Sequence, residues 1–198
     1  MRLLAIDTAT PRPSLALVID GVEPWTAELP RQGAEALAPA VSTLLSRSGV
    51  APHDLDRIAV VSGPGSFTGL RSSLAFARGL ARAVGALLVL VPTFEAASSA
   101  IPLPPDADLL LDALRGEVHR RRRRNGTLSP LEERLPRAAA DVEAARDGVP
   151  AIDLGVVLEP LSEAAARLAT AEPAGSAAGP AYGRPPAAEE RFGPGEDG

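Results

Sequence analysis

Short apolar runs dominate the first third of the chain and then give way to a helical period. Leu3–Asp7 and Ser14–Asp20 predict two strands, and the pair Asp20-Gly21 predicts a tight turn at the end of the second. Val22–Leu29 predicts a third strand, in which Pro24 lacks an N–H and so requires an edge or a bulge. Together the three predict an antiparallel meander. Leu37, Val41, Leu44, Leu45 and Ser48 then recur at helical spacing over Glu35–Ser48, with Gly49 as the stop and Pro39 expected close to the first turn. The apolar run Arg57–Val61, a glycine-rich loop, a helix over Gly69–Val84 and a strand Leu87–Val91 closed by Pro92 come next, giving the order β-β-β-α-β-α-β.

The second half is less regular. Leu109–Leu111 and the segment from Glu117 predict strands and Asn125-Gly126 a hairpin turn. Asp141–Arg146 and Ser162–Thr170 predict short helices around a strand at Ala151–Val157. A hairpin meander succeeded by alternating units is, by fold analogy, the α/β actin-like (ASKHA, RNase H-like) two-lobe architecture. Residues 1–100 would form the N-terminal lobe, 101–190 a reduced C-terminal lobe, and 191–198 a disordered tail after a Pro-, Gly- and Ala-rich stretch.

Composition removes several chemistries. The 198 residues include no cysteine, so neither a disulfide framework nor a thiolate nucleophile is available. All 20 cationic side chains are arginine, which excludes lysine chemistry, and the net charge of -5 opposes a surface that binds nucleic acid throughout. No apolar run is long enough to span a bilayer and the start does not read as a signal peptide, so the cytoplasm is the expected compartment.

"SGPGSFTGLRSSLAFARGLA", residues 62–81, has the glycine density of a phosphate-binding loop. It matches none of the phosphate or nucleophile patterns. A Walker loop needs GK[ST] where Gly69-Leu70-Arg71 stands; GxGxxG needs a glycine at Thr68; a nucleophile elbow centred on Ser66 needs glycines at Pro64 and Thr68. The turn "DTATPRPS", Asp7–Ser14, has two prolines and no glycine, which opposes a nucleotide cradle there. Asp7 has the position of a magnesium ligand, though a lone carboxylate at a strand end is more often structural. The two histidines, His53 and His119, form no helical metal pair, and no metal or other cofactor is expected. Gly63, Pro64, Gly65, Ser66, Thr68 and Gly69 are therefore read as a structural loop, a sharp strand-to-helix turn in which Ser66 or Thr68 caps the helix.

The helix after the loop has two faces. Leu70, Leu74, Ala77, Leu80 and Val84 suit packing on a sheet, while Ser72, Ala75 and Gly79 form a small-residue strip edged by Arg71, Arg78 and Arg82. Gly79 in a helix interior costs about 1 kcal/mol relative to alanine, so something is expected to approach its backbone closely. The preceding helix carries Ala36, Ala40 and Thr43 away from its leucines. Either the two helices pack against a similar pair from another chain, or the small face meets an element of the same chain.

"LLAIDTATPRPSLAL" at 3–17, "GPGSFTGLR" at 63–71, and the weaker "LDALRGEVH" at 111–119 and "PAYGRPPA" at 180–187 resemble, in that order, the TsaB (YeaZ) family. The resemblance implies the actin-like fold and a non-catalytic role in installing threonylcarbamoyl on the adenosine beside the anticodon of certain tRNAs. It implies pairing with the paralogue TsaD, which holds the active site, with TsaE, an ATPase, joining the larger complex, and it leaves open whether the subunit alone is a homodimer or a monomer. The implied contact is a bundle of the two N-lobe helices, which assigns Leu37, Ala40, Val41, Leu44, Arg71, Ser72, Ala75, Phe76, Arg78, Gly79 and Arg82 to a partner interface. The alternative is a small-molecule enzyme of the same superfamily, a nucleotide hydrolase or M22-like peptidase. One segment departs from the family pattern: His119 is followed by Arg120, Arg121, Arg122, Arg123 and Arg124, where an alternating aromatic strand is usual. Such a run buries unpaired charge if one face enters an apolar core, so the second lobe is expected to be thin or frayed there. The arginines are then either a solvated edge hairpin or a contact to the tRNA backbone. Gly183 likewise replaces an apolar residue and puts the anchoring of the tail in question.

Overall fold

A computed structural model describes residues 1–30, 34–156 and 161–171. Strands β1 (Arg2–Asp7), β2 (Ser14–Ile19) and β3 (Val22–Glu28) form the expected meander, and β4 (Arg57–Val61) and β5 (Leu87–Val91) extend it in parallel to give the sheet order β3-β2-β1-β4-β5. Pro24 lies on the edge strand, where its missing N–H breaks no ladder. A second sheet, β8-β7-β6-β9, is built from β6 (Ala107–Asp112), β7 (Glu117–Arg124), β8 (Thr127–Pro136) and the short β9 (Ala151–Asp153). This pair of sheets has the actin-like topology, with the second lobe reduced. Among the described residues no helix is long and apolar enough to cross a membrane.

Both faces of the first sheet are covered, which explains why every residue of Leu3–Asp7 is apolar or partnered. On one face Leu4, Ile6, Leu15, Leu17, Ile58 and Val60 meet α1 (Ala34–Ser48) and α2 (Phe67–Val84). On the other, Ala5, Ala16 and Ala59 leave a shallow surface on which α5 (Leu161–Ala171) lies through Ala165, Ala166 and Ala169. Small residues on both sides allow close approach, and the Arg57 guanidinium donates to the Ala169 carbonyl at 2.6 Å, closing the C-terminal turn of α5. This helix falls in the range expected for the second lobe, but it packs on the first sheet. The core is continuous between the lobes, because Leu109 and Leu111 of β6 join the same cluster.

Several expected boundaries shift. Pro39 sits in the second turn of α1, and α4 spans Arg137–Asp147, starting earlier than its apolar pattern suggests. Helix α3 (Thr93–Ala100) has no counterpart in the sequence pattern: its buried side, Thr93, Phe94, Ala96 and Ala97, is too short to establish a period. The strand expected over Ala151–Val157 ends at Asp153 and continues as a single turn at Leu154–Val156. The "PAYGRPPA" segment, Gly183 and the tail at 191–198 lie outside the described residues.

The arginine run corrects the sequence expectation most directly. Strand β7 is interior, bonded to β6 on one side and β8 on the other, so it is neither an edge nor frayed. Alternation divides the run between two faces. Arg120 donates to Glu133 and Glu143, Arg122 to Glu143, and Arg124 to the buried Asp108. On the opposite face Arg121 donates to Glu95 of α3 and stacks over Phe94, and Arg123 donates to the carbonyls of Leu103 and Pro104. The charge is indeed buried, with Arg120 only 1% exposed, but it is paired. The pairing holds the Arg120 guanidinium above its ordinary value against the opposing effect of burial, and holds the Glu143 carboxyl below its own. Among the described residues the apolar cluster between this sheet and α4 is Leu110, Val118 and Ala140 with Leu135 packed on it, so ion pairs supply much of the contact.

Removing one member of a buried ionic group leaves the others uncompensated. Arg120→Met should lower the free energy of urea unfolding by about 3–5 kcal/mol, since Glu133, Glu143 and Asp108 lose their shared cation. A loss below about 1 kcal/mol would show that the network is solvated in solution.

Candidate functional site

The turn after β1 and the loop after β4 lie side by side at the C-terminal end of the first sheet. The Ser66 N–H donates to the Ala9 carbonyl at 2.8 Å, and the Thr8 hydroxyl donates to the Gly69 carbonyl at 2.8 Å. On its other side the loop is tied to α3: the Thr93 N–H donates to Gly63 and the Thr93 hydroxyl to Pro64. Gly63 has φ 104°, a conformation that favours glycine, and precedes a cis peptide to Pro64. The Ser66 hydroxyl accepts from the Gly69 N–H and caps α2, which begins at Phe67, two residues earlier than its apolar pattern indicates.

Two of the glycines have a specific cause. A Cβ on Gly65 would stand 2.4 Å from the Ala9 carbonyl oxygen, and one on Gly69 would stand 1.8 Å from that of Thr8. What approaches these glycines is therefore the negative end of two peptide dipoles. Such an arrangement is a backbone weld, and carbonyl oxygens at that position oppose an anion.

Asp7 completes the junction. Its carboxylate is fully buried and accepts from the N–H groups of Ala9 and Thr10 and from the Thr10 hydroxyl. Burial pushes its pKa up to about 6 although those bonds pull it down. The carboxylate is thus occupied in closing its own turn. Beside it a cleft of about 560 Å³ opens between the lobes, lined by Thr8, Thr10, Ser66, Thr68, Asp112 and His119 among others. His119 faces Glu132, 3.0 Å from Nδ1, and His53 is exposed at the separate Pro52–Asp54 turn. Among the described residues no group of three or more His, Asp or Glu side chains is placed to hold a metal ion.

The weld aims α2 away from the cleft, with one face in the core and the other outward. Leu70, Ser73, Leu74, Ala77 and Ala81 are buried, while Arg71, Ala75, Arg78, Gly79 and Arg82 are exposed and Ser72 and Phe76 half-buried. A Cβ on Gly79 would meet nothing within 4 Å, so no element of the described chain covers it. Near the helix start Phe67, Thr68, Arg71, Ser72 and Ala75 line a shallow groove of about 380 Å³. Three residues assigned to the interface from sequence lie elsewhere: Leu37, Val41 and Leu44 are buried against the first sheet, with Ala40 half-buried beside them. They support the surface from beneath.

The family model described as "TsaD: tRNA N6-adenosine threonylcarbamoyltransferase" matches residues 7–147. The chain is 45% identical over 82 residues to the tRNA threonylcarbamoyladenosine biosynthesis protein TsaB of Escherichia coli, an alignment covering 41% of this chain and 36% of that protein. The solved structure of YeaZ from Pseudomonas aeruginosa superposes with a TM-score of 0.58 at 31% identity, covering 68% of this chain and 66% of that one. The chain belongs to that family, among the TsaB/YeaZ proteins. A further structure, described as an uncharacterized protein with similarity to peptidase YEAZ from Pseudomonas aeruginosa, matches with a TM-score of 0.68 and 27% identity over 92% of this chain and 99% of its own. The alignments span 36%, 39% and 53% of the three curated TsaB relatives from Escherichia coli, Haemophilus influenzae and Bacillus subtilis.

The family's sequence signatures thus meet in space. "DTATPRPS" and "GPGSFTGLR" form the weld, and "LDALRGEVH" is the β6–β7 turn on the opposite wall of the cleft. In this TsaB/YeaZ chain the glycines divide by cause, and substitution should separate them. Gly69→Ala and Gly65→Ala should each destabilise by about 3 kcal/mol or more in thermal or urea unfolding, whereas Gly79→Ala should stabilise by about 1 kcal/mol.

Asp7 yields a pH signature. Its carboxyl binds a proton more readily folded than unfolded, so the linked stabilisation is complete below about pH 4 and lost as pH rises through about 6. Asp7→Asn keeps an acceptor for the Ala9 and Thr10 N–H groups, and the Thr10 hydroxyl has the Arg12 carbonyl as another acceptor. The variant should gain on the order of 2–3 kcal/mol over the parent at pH 7.5, and much less at pH 4.5, in chemical denaturation at the two pH values. A gain of equal size at both would contradict the burial effect.

Proposed function

We propose that this chain is a non-catalytic subunit in the biosynthesis of tRNA threonylcarbamoyladenosine, docking through α1 and α2 onto a TsaD-type transferase that carries the reaction centre. The single observation behind this reading is Gly79: a helix-interior glycine in the open, on an exposed face of small residues, with no cause inside the described chain. A partner helix approaching the backbone there supplies the cause. The biosynthetic role for which the TsaB relatives are named supports the pathway. The subunit's contribution is then to hold the transferase in its active arrangement, in the cytoplasm, with a TsaE-type ATPase joining the complex and tRNA met through the assembly.

The reading as a nucleotide hydrolase or peptidase finds less support. Gly65 and Gly69 face the carbonyl oxygens of Ala9 and Thr8, which repel an anion, and the two histidines stand on separate elements. A tRNA contact through Arg120–Arg124 is also disfavoured, because carboxylates or carbonyls of the same chain already occupy each of those guanidinium groups.

Gly79→Leu or Ala75→Arg should abolish co-elution with the TsaD-type transferase of the same genome in size-exclusion chromatography, with the variant's fold preserved and its melting temperature not lowered. In cells lacking the parental gene, either variant should lower threonylcarbamoyladenosine in hydrolysed tRNA. Undiminished co-elution would refute the interface.

A further inference from the structure

Two of the large exposed apolar side chains among the described residues line the cleft between the lobes, one from each side. Phe67, at the start of α2, is 39% exposed, and Leu114, in the β6–β7 turn, is 64% exposed. Leu114 is held there against its own preference. Its φ is 66° and that of Arg115 is 56°, left-handed values that residues with a Cβ disfavour. Three hydrogen bonds keep the turn from relaxing. Asp112 Oδ1 accepts from the Leu114 N–H at 2.9 Å, the Leu114 carbonyl accepts from the Glu117 N–H at 3.1 Å, and the Gly116 carbonyl accepts from the Arg137 N–H at 2.8 Å. Glycine would take the same backbone without strain, so a leucine with most of its surface in solvent has no cause within the turn.

His119 lines the same cleft and is 5% exposed. Glu132 lies 3.0 Å from its Nδ1, and a carboxylate only accepts, so Nδ1 carries the proton. The neutral ring then has Nε2 as an acceptor, with no partner among the described residues. On the other wall the Ser66 hydroxyl accepts from the Gly69 N–H and keeps its own proton to donate. The surroundings oppose charge of either sign. Among the described residues no arginine lines the cleft, and the Thr8 and Ala9 carbonyls oppose an anion. The N-terminal end of α2 opposes a cation, and Asp112, the one carboxylate among the described lining residues, is engaged in its turn. We propose that the cleft binds an uncharged, flat small molecule with an amide-type edge: its ring lies between Phe67 and Leu114, its N–H meets His119 Nε2, and its carbonyl meets the Ser66 hydroxyl. The volume of about 560 Å³ is that of a small-molecule site. Docking of a partner on α1 and α2 is not required for this binding, so the two readings stand or fall separately.

The probe is benzamide, with benzoate and benzylamine as its anionic and cationic counterparts, each titrated into the full chain and followed by heteronuclear NMR. Benzamide should bind with a Kd of about 1 mM and shift the resonances of Phe67, Leu114 and His119. Each charged counterpart should bind at least about tenfold more weakly. Leu114→Gly leaves the fold intact, because glycine suits the positive φ, and should weaken benzamide about tenfold by removing one apolar wall. His119→Phe keeps a ring of similar size without the acceptor and should weaken it by about the same factor. Benzoate or benzylamine binding as tightly as benzamide would overturn the uncharged class. Unchanged affinity in either variant, or no shift at those three residues at about 10 mM benzamide, would overturn the site itself.

Discussion

The contact between the glycine-rich loop and the turn after β1 sets the geometry of everything downstream. Two carbonyl oxygens, of Thr8 and Ala9, occupy the volume that side chains at 69 and 65 would need. The loop is therefore drawn against the first strand pair, and Thr93 fixes its far side to α3. With three neighbouring segments constraining the loop, Ser66 caps α2 at one defined point and the helix has one direction to take. The outward face of α2 is thus a consequence of a backbone contact made at its start. Glycines recruited for that purpose are unavailable for phosphate, because the groups turned toward them accept hydrogen bonds and do not donate them.

The second lobe solves a different problem. With an apolar cluster as small as Leu110, Val118 and Ala140, hydrophobic burial alone contributes little to seating α4 on its sheet. Alternate arginines of β7 complete the contact by reaching carboxylates on three elements, Asp108 on β6, Glu133 on β8 and Glu143 on α4. Geometry of this kind adds modestly to stability after desolvation, but a mismatched pairing is expensive, so the network favours one register. The intervening residues bind the lobe to α3 through Arg121 and Glu95, and so couple the two sheets.

Much of the first lobe is legible from period and punctuation. Asp20-Gly21, the leucine stripe of α1 and the apolar run before the loop each predict one element, a turn, a helix and a strand. Partnership at a distance is what the sequence hides. Leu37 and Val41 belong to the stripe that meets the sheet, but sequence spacing cannot say whether a stripe faces its own core or another chain. Five successive arginines look incompatible with an interior strand until Glu133, Glu143 and Asp108 are brought beside them from up to 23 residues away. Helix α3 leaves no trace in the pattern because eight residues with alanines and serines hold too few large side chains to reveal a face. The site itself is partly legible: the glycine density and the Ser66 cap mark a sharp strand-to-helix turn, but nothing in the sequence reveals that two of the loop's glycines face carbonyls.

Gly79 and the glycines at 65 and 69 look alike in composition and differ in cause. For two of them the chain contains the reason, a carbonyl oxygen closer than any side chain tolerates; for the third it contains only the penalty, a helix weakened with open space above it. A residue that weakens its own helix and relieves no internal crowding gains its explanation only from outside the fold. The neighbouring arginines have the same character, since they leave positive charge unpaired in a chain that pairs most of its other arginines with carboxylates. Steric and electrostatic departures from internal consistency fall on the same side of one helix, and the weld at its start holds that side facing outward.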